Sequence, residues 1–553
     1  MPWAGHRQEA GICQVATKKT IPMTGISSES ADVTAIFQQA LSAHQHGQFS
    51  QAQSLYETIL RMQPRHADTL SLMGLIAFQQ SDHLRAVLLI DRAIELSPGN
   101  AAAYSNVALA LLELGRLADA RRRLDQAIAI RPDYAEAYYN RGIVLDRMGR
   151  PNEALENYDQ AITLKPDYAQ AYNNRGNTLQ ILERLDEALE SFDRAIHIKP
   201  DYAEAYYNRG VTLQELKRLD EAFDSYDRAR KIDPDYRDAQ WNLSLLQLLT
   251  GEFVRGWKGY EWRWDDRKPE FSRRDFKQPQ WHGNEALAGK TILLHSEQGL
   301  GDTLQFCRYA KPVADLGATV ILETQKSLMG LLNGLDGVSK LIAAGEPLPE
   351  FDLHCPLLSL PLALKTDLTT IPSPEGYVSA SPGKLAEWKT NLGNGDKPRV
   401  GLAWSGSPTH RHDKRRSILL GDIAEYLPDR FQYVSLQKDV READKNVLVS
   451  RPDILHFGEA LSDFADTAAL CELMDIVISV DTGVAHLAGA LGKEVWILLP
   501  FVPDWRWLLD RDDSPWYRSA RLFRQTAASD WRGVFENVRQ ELEARAIADA
   551  NSQ

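Results

Sequence analysis

The sequence predicts an α plus α/β chain: an all-helical solenoid over residues 33–250, then an α/β region built as two facing halves. Three observations carry that expectation. Prolines recur at Pro64, Pro98, Pro132, Pro166, Pro200 and Pro234, each 34 residues after the last. From residue 290 the texture changes to short apolar runs alternating with helical stretches. Two of those runs end directly in glycine-bearing turns, Ser296-Glu-Gln-Gly-Leu-Gly-Asp302 and Asp481-Thr-Gly483.

The 553 residues exceed what one hydrophobic core organises, so several domains are expected. Lys plus Arg number 63 against 76 Asp plus Glu, a formal net charge of -13, which argues against nucleic acid as a general partner. Cys13, Cys307, Cys355 and Cys471 show neither metal-knuckle nor redox spacing and read as buried thiols of a cytoplasmic protein. No stretch of about 18 apolar residues predicts a transmembrane segment. Residues 1–32, polar and without period, are expected to be a disordered tail.

Within the repeats, Gly142, Gly176 and Gly210 hold one position of a first helix, while Ala154, Ala188, Ala222 and Ala161, Ala195, Ala229 recur in a second. Two antiparallel helices approach closely only where side-chain bulk is removed, with Tyr138, Leu145 and Tyr158 filling the neighbouring gaps. Proline stops each second helix, and Asp133, Asp167 and Asp201 are placed to cap the next first helix. The pattern resembles the tetratricopeptide (TPR) family across six repeats plus a capping helix, which implies a right-handed superhelix. In that family the position of Asn106, Asn140, Asn174, Asn208 and Asn242 lies on the concave face. One amide per repeat suits an extended polypeptide backbone on that face, and equally suits a bond to the neighbouring helix.

Residues 251–289 read as a capping segment and connector. Trp257, Tyr260, Trp262 and Trp264 within them are either a sugar-stacking platform or, the more common use of such rings, packing between domains.

In the α/β region, Thr291–His295, Thr319–Glu323, Val400–Trp404, Tyr433–Leu436, Ile476–Val480 and Val495–Leu499 are expected strands of parallel sheets. A Pro- and Gly-containing stretch divides them into an N-terminal half, 290–375, and a C-terminal half, 398–548, each Rossmann-like. Gly299 and Gly301 turn the chain sharply and leave Asp302 at a helix start, as a base or simply as a cap. The turn after Asp481 aims the N–H groups of Thr482, Gly483 and Val484 beyond the strand end, where a diphosphate would be held, with His486 adding a donor.

The strand-Gly-Leu-Gly-Asp302 and Asp481-Thr-Gly-x-x-His486-x-Ala-Gly-Ala490 motifs, in these halves and this order, resemble the GT-B glycosyltransferases of the heptosyltransferase type, glycosyltransferase family 9. That resemblance implies Asp302 as general base on an acceptor hydroxyl and Asp481, Thr482, Gly483 and His486 as donor-nucleotide contacts. Lys414, within His410-Arg-His-Asp-Lys-Arg-Arg416, matches a phosphate-side lysine, and Arg416 would assist it; a solvated basic loop is the plainer reading of the same residues. Glu297 is a competing carboxylate. Asp510-Arg-Asp512 spells a metal-binding pattern but follows no strand. The layout of TPR repeats before a GT-B domain also resembles that of protein O-GlcNAc transferases. The function expected is therefore metal-independent, inverting sugar transfer from a nucleotide sugar used as substrate, with no cofactor, to a polypeptide or partner-bound acceptor recruited by the repeats. The rival reading is a TPR protein–protein interaction scaffold whose transferase-like domain is inactive.

Overall fold

The computed structural model describes residues 28–264, 273–409 and 413–552. The expected tail lies outside the described residues as far as position 27, and the first helix already begins at Ser28. The chain divides into two compact units, residues 1–236 and 237–553.

The first unit is a succession of antiparallel helix pairs, from Ser28–Gln45 with Phe49–Met62 to Ala203–Glu215 with Leu219–Ile232. The repeated glycines explain the close pairing. A Cβ on Gly142 would stand 2.5 Å from the Tyr158 ring, one on Gly176 2.5 Å from Phe192, and one on Gly210 2.7 Å from Tyr226. All three rings are fully buried. Of the gap-fillers expected, Leu145 and Tyr158 are buried, whereas Tyr138 is only half-buried and Tyr139 takes the interior place.

The capping expectation needs correction. Tyr134, Tyr168 and Tyr202 occupy the N-cap positions, with no side-chain capping bond. Asp133, Asp167 and Asp201 sit in tight turns closed by bonds such as Tyr134 N–H to Arg131 O, 3.2 Å, and point to solvent. Cations clamp the tyrosines instead: Arg131 lies 3.4 Å from the Tyr134 ring centre and Lys165 4.4 Å from that of Tyr168.

The boundary between the units falls before residue 250. Helix Arg237–Leu249, expected as part of the solenoid, belongs to the second unit because aromatic packing holds it there. Trp241 packs tilted at 4.7 Å against Tyr260 of helix Phe253–Tyr260, and Tyr260 meets Trp505 at 5.9 Å. Trp257 packs edge-on against Trp505 at 5.2 Å and donates its indole N–H to Thr366 O at 3.1 Å. Trp257, Tyr260 and Trp264 are buried, so these three rings are packing and offer no sugar platform, while Trp262 is half-buried.

Two parallel sheets follow. The first comprises β1 (Thr291–His295), β2 (Thr319–Thr324), β3 (Lys340–Ala343) and β4 (Leu353–Pro356), in the order β3-β2-β1-β4. The second comprises β5 (Arg399–Ala403), β6 (Gln432–Ser435), β7 (Ile454–His456), β8 (Ile476–Val480), β9 (Val495–Leu499) and β10 (Ala520–Arg524), in the order β10-β9-β8-β5-β6-β7. Strand order therefore reverses between β1 and β4 and again between β5 and β8, the points at which open α/β sheets leave a ligand crevice beyond their carboxyl ends. Both glycine-bearing turns leave from these reversals.

Candidate functional site: two glycine-bearing turns in contact

The turn after β1 leads into helix Leu300–Phe306, and the turn after β8 leads through Thr482 into helix Gly483–Ala490. The two helix starts touch. A Cβ on Gly301 would stand 2.8 Å from His486 Cδ2 and 3.5 Å from Gly483 Cα, so only glycine allows this approach. The tertiary fold thus brings Asp302, Asp481, Thr482, Gly483 and His486 to one place.

Asp302 accepts the Gly299 N–H at 2.9 Å and forms an ion pair with the Arg506 guanidinium. Arg506, itself buried, also donates to Gln305 Oε1 at 2.6 Å and to Asp504 Oδ1 at 2.8 Å. Its cation thereby ties the first half's helix to the second half. Asp481 lies beside this group. Burial, reinforced by the neighbouring Asp504 charge, pushes its carboxyl up to about 6, while Arg416 and Arg506 oppose the shift.

Thr482 is the N-cap of its helix and its hydroxyl accepts the Val484 N–H at 3.3 Å. The Val484 N–H expected to be free for a ligand is therefore taken. His486 is buried, stacks on Trp507 at 5.4 Å, and bonds through Nδ1 to the Tyr517 hydroxyl at 2.9 Å.

Of the basic stretch, residues 410–412 lie outside the described residues. Arg416 donates to Asp481 O at 2.8 Å and is so close to Gly406 that a Cβ there would stand 2.7 Å from the guanidinium. Lys414 is exposed on the short helix Asp413–Arg416. That helix is anchored through Asp413, which accepts from Arg441 and from Ser417, each at 2.6 Å.

Glu297 does not join this group. Its carboxylate is buried against Arg263, at 3.0 Å, and Arg263 also reaches Glu261 at 2.6 Å and Ser359 at 2.7 Å. Burial pushes Glu297 up to about 7, with Arg263 pulling the other way. A carboxylate enclosed in this way has no open approach for an acceptor, which corrects its standing as a competing base.

The asparagine ladder is likewise redirected. Asn140 donates to Ser105 Oγ at 3.0 Å, Asn174 to Tyr139 OH at 3.1 Å, and Asn208 to Asn173 Oδ1 at 3.0 Å. Each amide is buried and ties the first helix of one repeat to the first helix of the repeat before, so these three donors are not presented to a peptide. Asn106 is half-buried, and Asn242, also half-buried, lies on Arg237–Leu249 in the second unit. An arginine ladder one residue on reinforces the stacking: Arg141 reaches Asp125 at 2.8 Å, Arg175 reaches Asp159 and Arg209 reaches Asp193, each at 2.6 Å. Asn174→Ala should therefore destabilise the first unit by about 1 kcal/mol, because it removes the buried bond from this amide to Tyr139 OH, and urea unfolding followed by circular dichroism measures it. A cost near zero would return that amide to the pool of ligand contacts.

Sequence reasoning missed Arg506 and Tyr517. The only signal for the first was the unusual Asp504-Trp-Arg-Trp507 run, in which a cation sits between two large rings.

Family models for the tetratricopeptide repeat match residues 37–101, 99–167, 139–203 and 203–236. The repeats are tetratricopeptide repeats. A curated relative, Protein FlbA of Caulobacter vibrioides (strain ATCC 19089 / CIP 103742 / CB 15), is 24% identical over 322 residues, covering 53% of this chain and 53% of its own. The chain thus spans about half the length of that relative. Among solved structures, YrrB, described as a TPR protein with an unusual peptide-binding site, is 24% identical over 33% of this chain and 95% of its own, with a TM-score of 0.28. MamA is 27% identical over 30% of this chain and 96% of its own, with a TM-score of 0.27. Pseudomonas aeruginosa pilF is 18% identical over 39% and 97%, with a TM-score of 0.36. The TPR repeats support a role in binding protein partners, and among the described residues no helix is long and apolar enough to cross a membrane.

Proposed function

We propose that the second unit is a GT-B glycosyltransferase, and that it moves a sugar from a nucleotide-sugar donor to an acceptor hydroxyl on a polypeptide, or on a partner, recruited by the TPR repeats. The observation that supports this reading is the convergence of two glycine-bearing strand-end turns from separate parallel sheets, with Asp302 on one and Asp481, Thr482 and His486 on the other. In the proposed reaction Asp302 takes the proton of the acceptor hydroxyl as its oxygen bonds to the sugar carbon and the bond from that carbon to the diphosphate breaks. The charge on the departing nucleoside diphosphate is met by the start of helix Gly483–Ala490, with Arg416 beside it and Lys414 free to swing in from solvent.

Screening UDP-, GDP-, ADP- and dTDP-sugars for hydrolysis and for thermal stabilisation of the protein tests the reading. At least one donor class should do both; silence across the panel favours the scaffold. With that donor's nucleotide in hand, Gly483→Val should weaken binding about tenfold or more by crowding the phosphate approach. The variant is expected to fold, since a Cβ at Gly483 meets the Phe464 ring at 3.5 Å and Gly301 N at 3.9 Å, both ordinary contacts. Calorimetry showing undiminished affinity would remove the donor from this turn.

A further inference from the structure

Tyr517 is a buried tyrosine whose ring lies flat in space left by the absent side chain of Gly489 and whose hydroxyl reaches His486 Nδ1 at 2.9 Å. Behind it stands a cation of unusual surroundings. Arg308 is buried, and among the described residues no carboxylate is paired with it. Its donors go to Gln305 O at 2.7 Å, Pro372 O at 3.1 Å, Trp516 O at 2.5 Å and Tyr377 OH at 2.9 Å. Its guanidinium lies 4.7 Å from the Tyr377 ring centre and 4.6 Å from that of Tyr517. A buried cation solvated by three carbonyls, one hydroxyl and ring faces, with no opposite charge, is costly. Its bonds join the end of the Asp302 helix, the segment between the two sheets and the backbone beside Tyr517, so its return is positional.

We propose that Tyr517, backed by Arg308, is a positioning residue: its hydroxyl donates to His486 Nδ1 and so keeps the imidazole proton on Nε2. His486 has one proton to place. Burial, helped by the charges of Arg506, Arg308 and Arg416, holds its pKa well below the ordinary imidazole value, so the ring is neutral near pH 7. Its Nε2 stands 3.9 Å from Asp481 Oδ1. With the proton on Nε2, the ring turns the positive end of an N–H dipole toward that carboxylate; the other tautomer would set a lone pair against it. The Arg308 charge on the face of Tyr517 polarises the phenol O–H and makes it the better donor in the pair.

What the Nε2–H is for rests on the transferase reading. It is then a neutral donor, fixed in direction before the substrate arrives, for an oxygen of the departing diphosphate. Gly301, whose missing Cβ leaves room for the His486 ring edge, gives the first half's turn its place beside that donor.

Histidine-selective 15N labelling with long-range 1H–15N spectra reads the tautomer in the free protein, the His486 signals being identified by their loss in His486→Gln. Wild type should show a protonated Nε2 and a bare Nδ1. Tyr517→Phe keeps the ring and should shift the signals toward a mixture of tautomers, while lowering kcat about tenfold with the donor KM changed much less. A proton found on Nδ1 in wild type, or an unaltered Nε2 pattern in Tyr517→Phe, overturns the proposal. UDP, GDP, ADP and dTDP serve as ligand probes. No perturbation of Nε2 by any of the four counts against the transferase reading, while the nitrogen pattern of the free protein still decides the Tyr517 relay on its own.

Discussion

Replacing Asp302 by Asn is expected to lower sugar-transfer turnover roughly 100-fold or more while leaving nucleotide affinity almost unchanged, the signature of losing a general base. The variant keeps the side chain's size and an oxygen that can still accept the Gly299 N–H now bonded at 2.9 Å. It loses the charge paired with Arg506, but Arg506 retains Asp504 at 2.8 Å and Gln305 at 2.6 Å, so the cation is not stranded. Steady-state kinetics with the donor found by screening, paired with calorimetry, separates the two effects. Glu297→Gln is the control. Because Glu297 is enclosed with Arg263 and Ser359, that change should act on stability rather than on the chemical step. Full turnover in Asp302→Asn together with an inert Glu297→Gln would reverse the assignment.

The second large effect is on stability, and it lies where the end of β1 meets the first residues of β4. His295 and His354 face each other at 3.3 Å, beside Phe276 and the ion pair of Arg274 with Glu323. Burial first, and then the Arg274 charge, push His295 down to about 3 and His354 down to about 4, from an ordinary 6.5. Both are bases with depressed values. Their contribution is whole above pH 6.5 and is lost as pH falls through the folded values, because over that window the unfolded chain binds protons that the folded one refuses. The loss should be on the order of 3 kcal/mol by pH 4.5, with His354 the less enclosed and so the smaller share. Glu297 runs the other way: its raised value contributes stability below its ordinary 4.5, lost as pH rises through about 7. Amide hydrogen exchange at β1 and β2 isolates the histidine effect from the rest of the chain. Opening free energies there should fall between pH 7.5 and 4.5 in wild type and change much less in His295→Leu/His354→Leu. Equal slopes in the two proteins would remove the histidine pair as the cause.

The residues themselves show why some of this was legible beforehand. A 34-residue proline ladder with Gly142, Gly176 and Gly210 in register states a helix pair and its closest contact within one short window. β1, β2, β5, β6, β8 and β9 are apolar runs buried on both faces, and they stand out for that reason. The strands that went unseen carry weaker signals. β3 and β7 have four and three residues, β4 carries His354 and ends in Pro356, and β10 has Arg521 and Arg524 among its five residues.

By itself the sequence determined the helical repeats, the two parallel sheets and the two glycine-bearing turns, because periodicity and glycine stereochemistry act over a few residues. Only the tertiary structure decided what each polar side chain meets. It turned Asn140, Asn174 and Asn208 into ties between repeats, enclosed Glu297 with Arg263, and moved helix Arg237–Leu249 into the second unit through Trp241 and Tyr260. The partners that define the candidate site are separated by 204 residues for Arg506 and Asp302 and by 208 for Arg308 and Trp516. A hydrogen bond depends on distance and angle to within a few tenths of an ångström, and across such separations those quantities exist only once both sheets have packed.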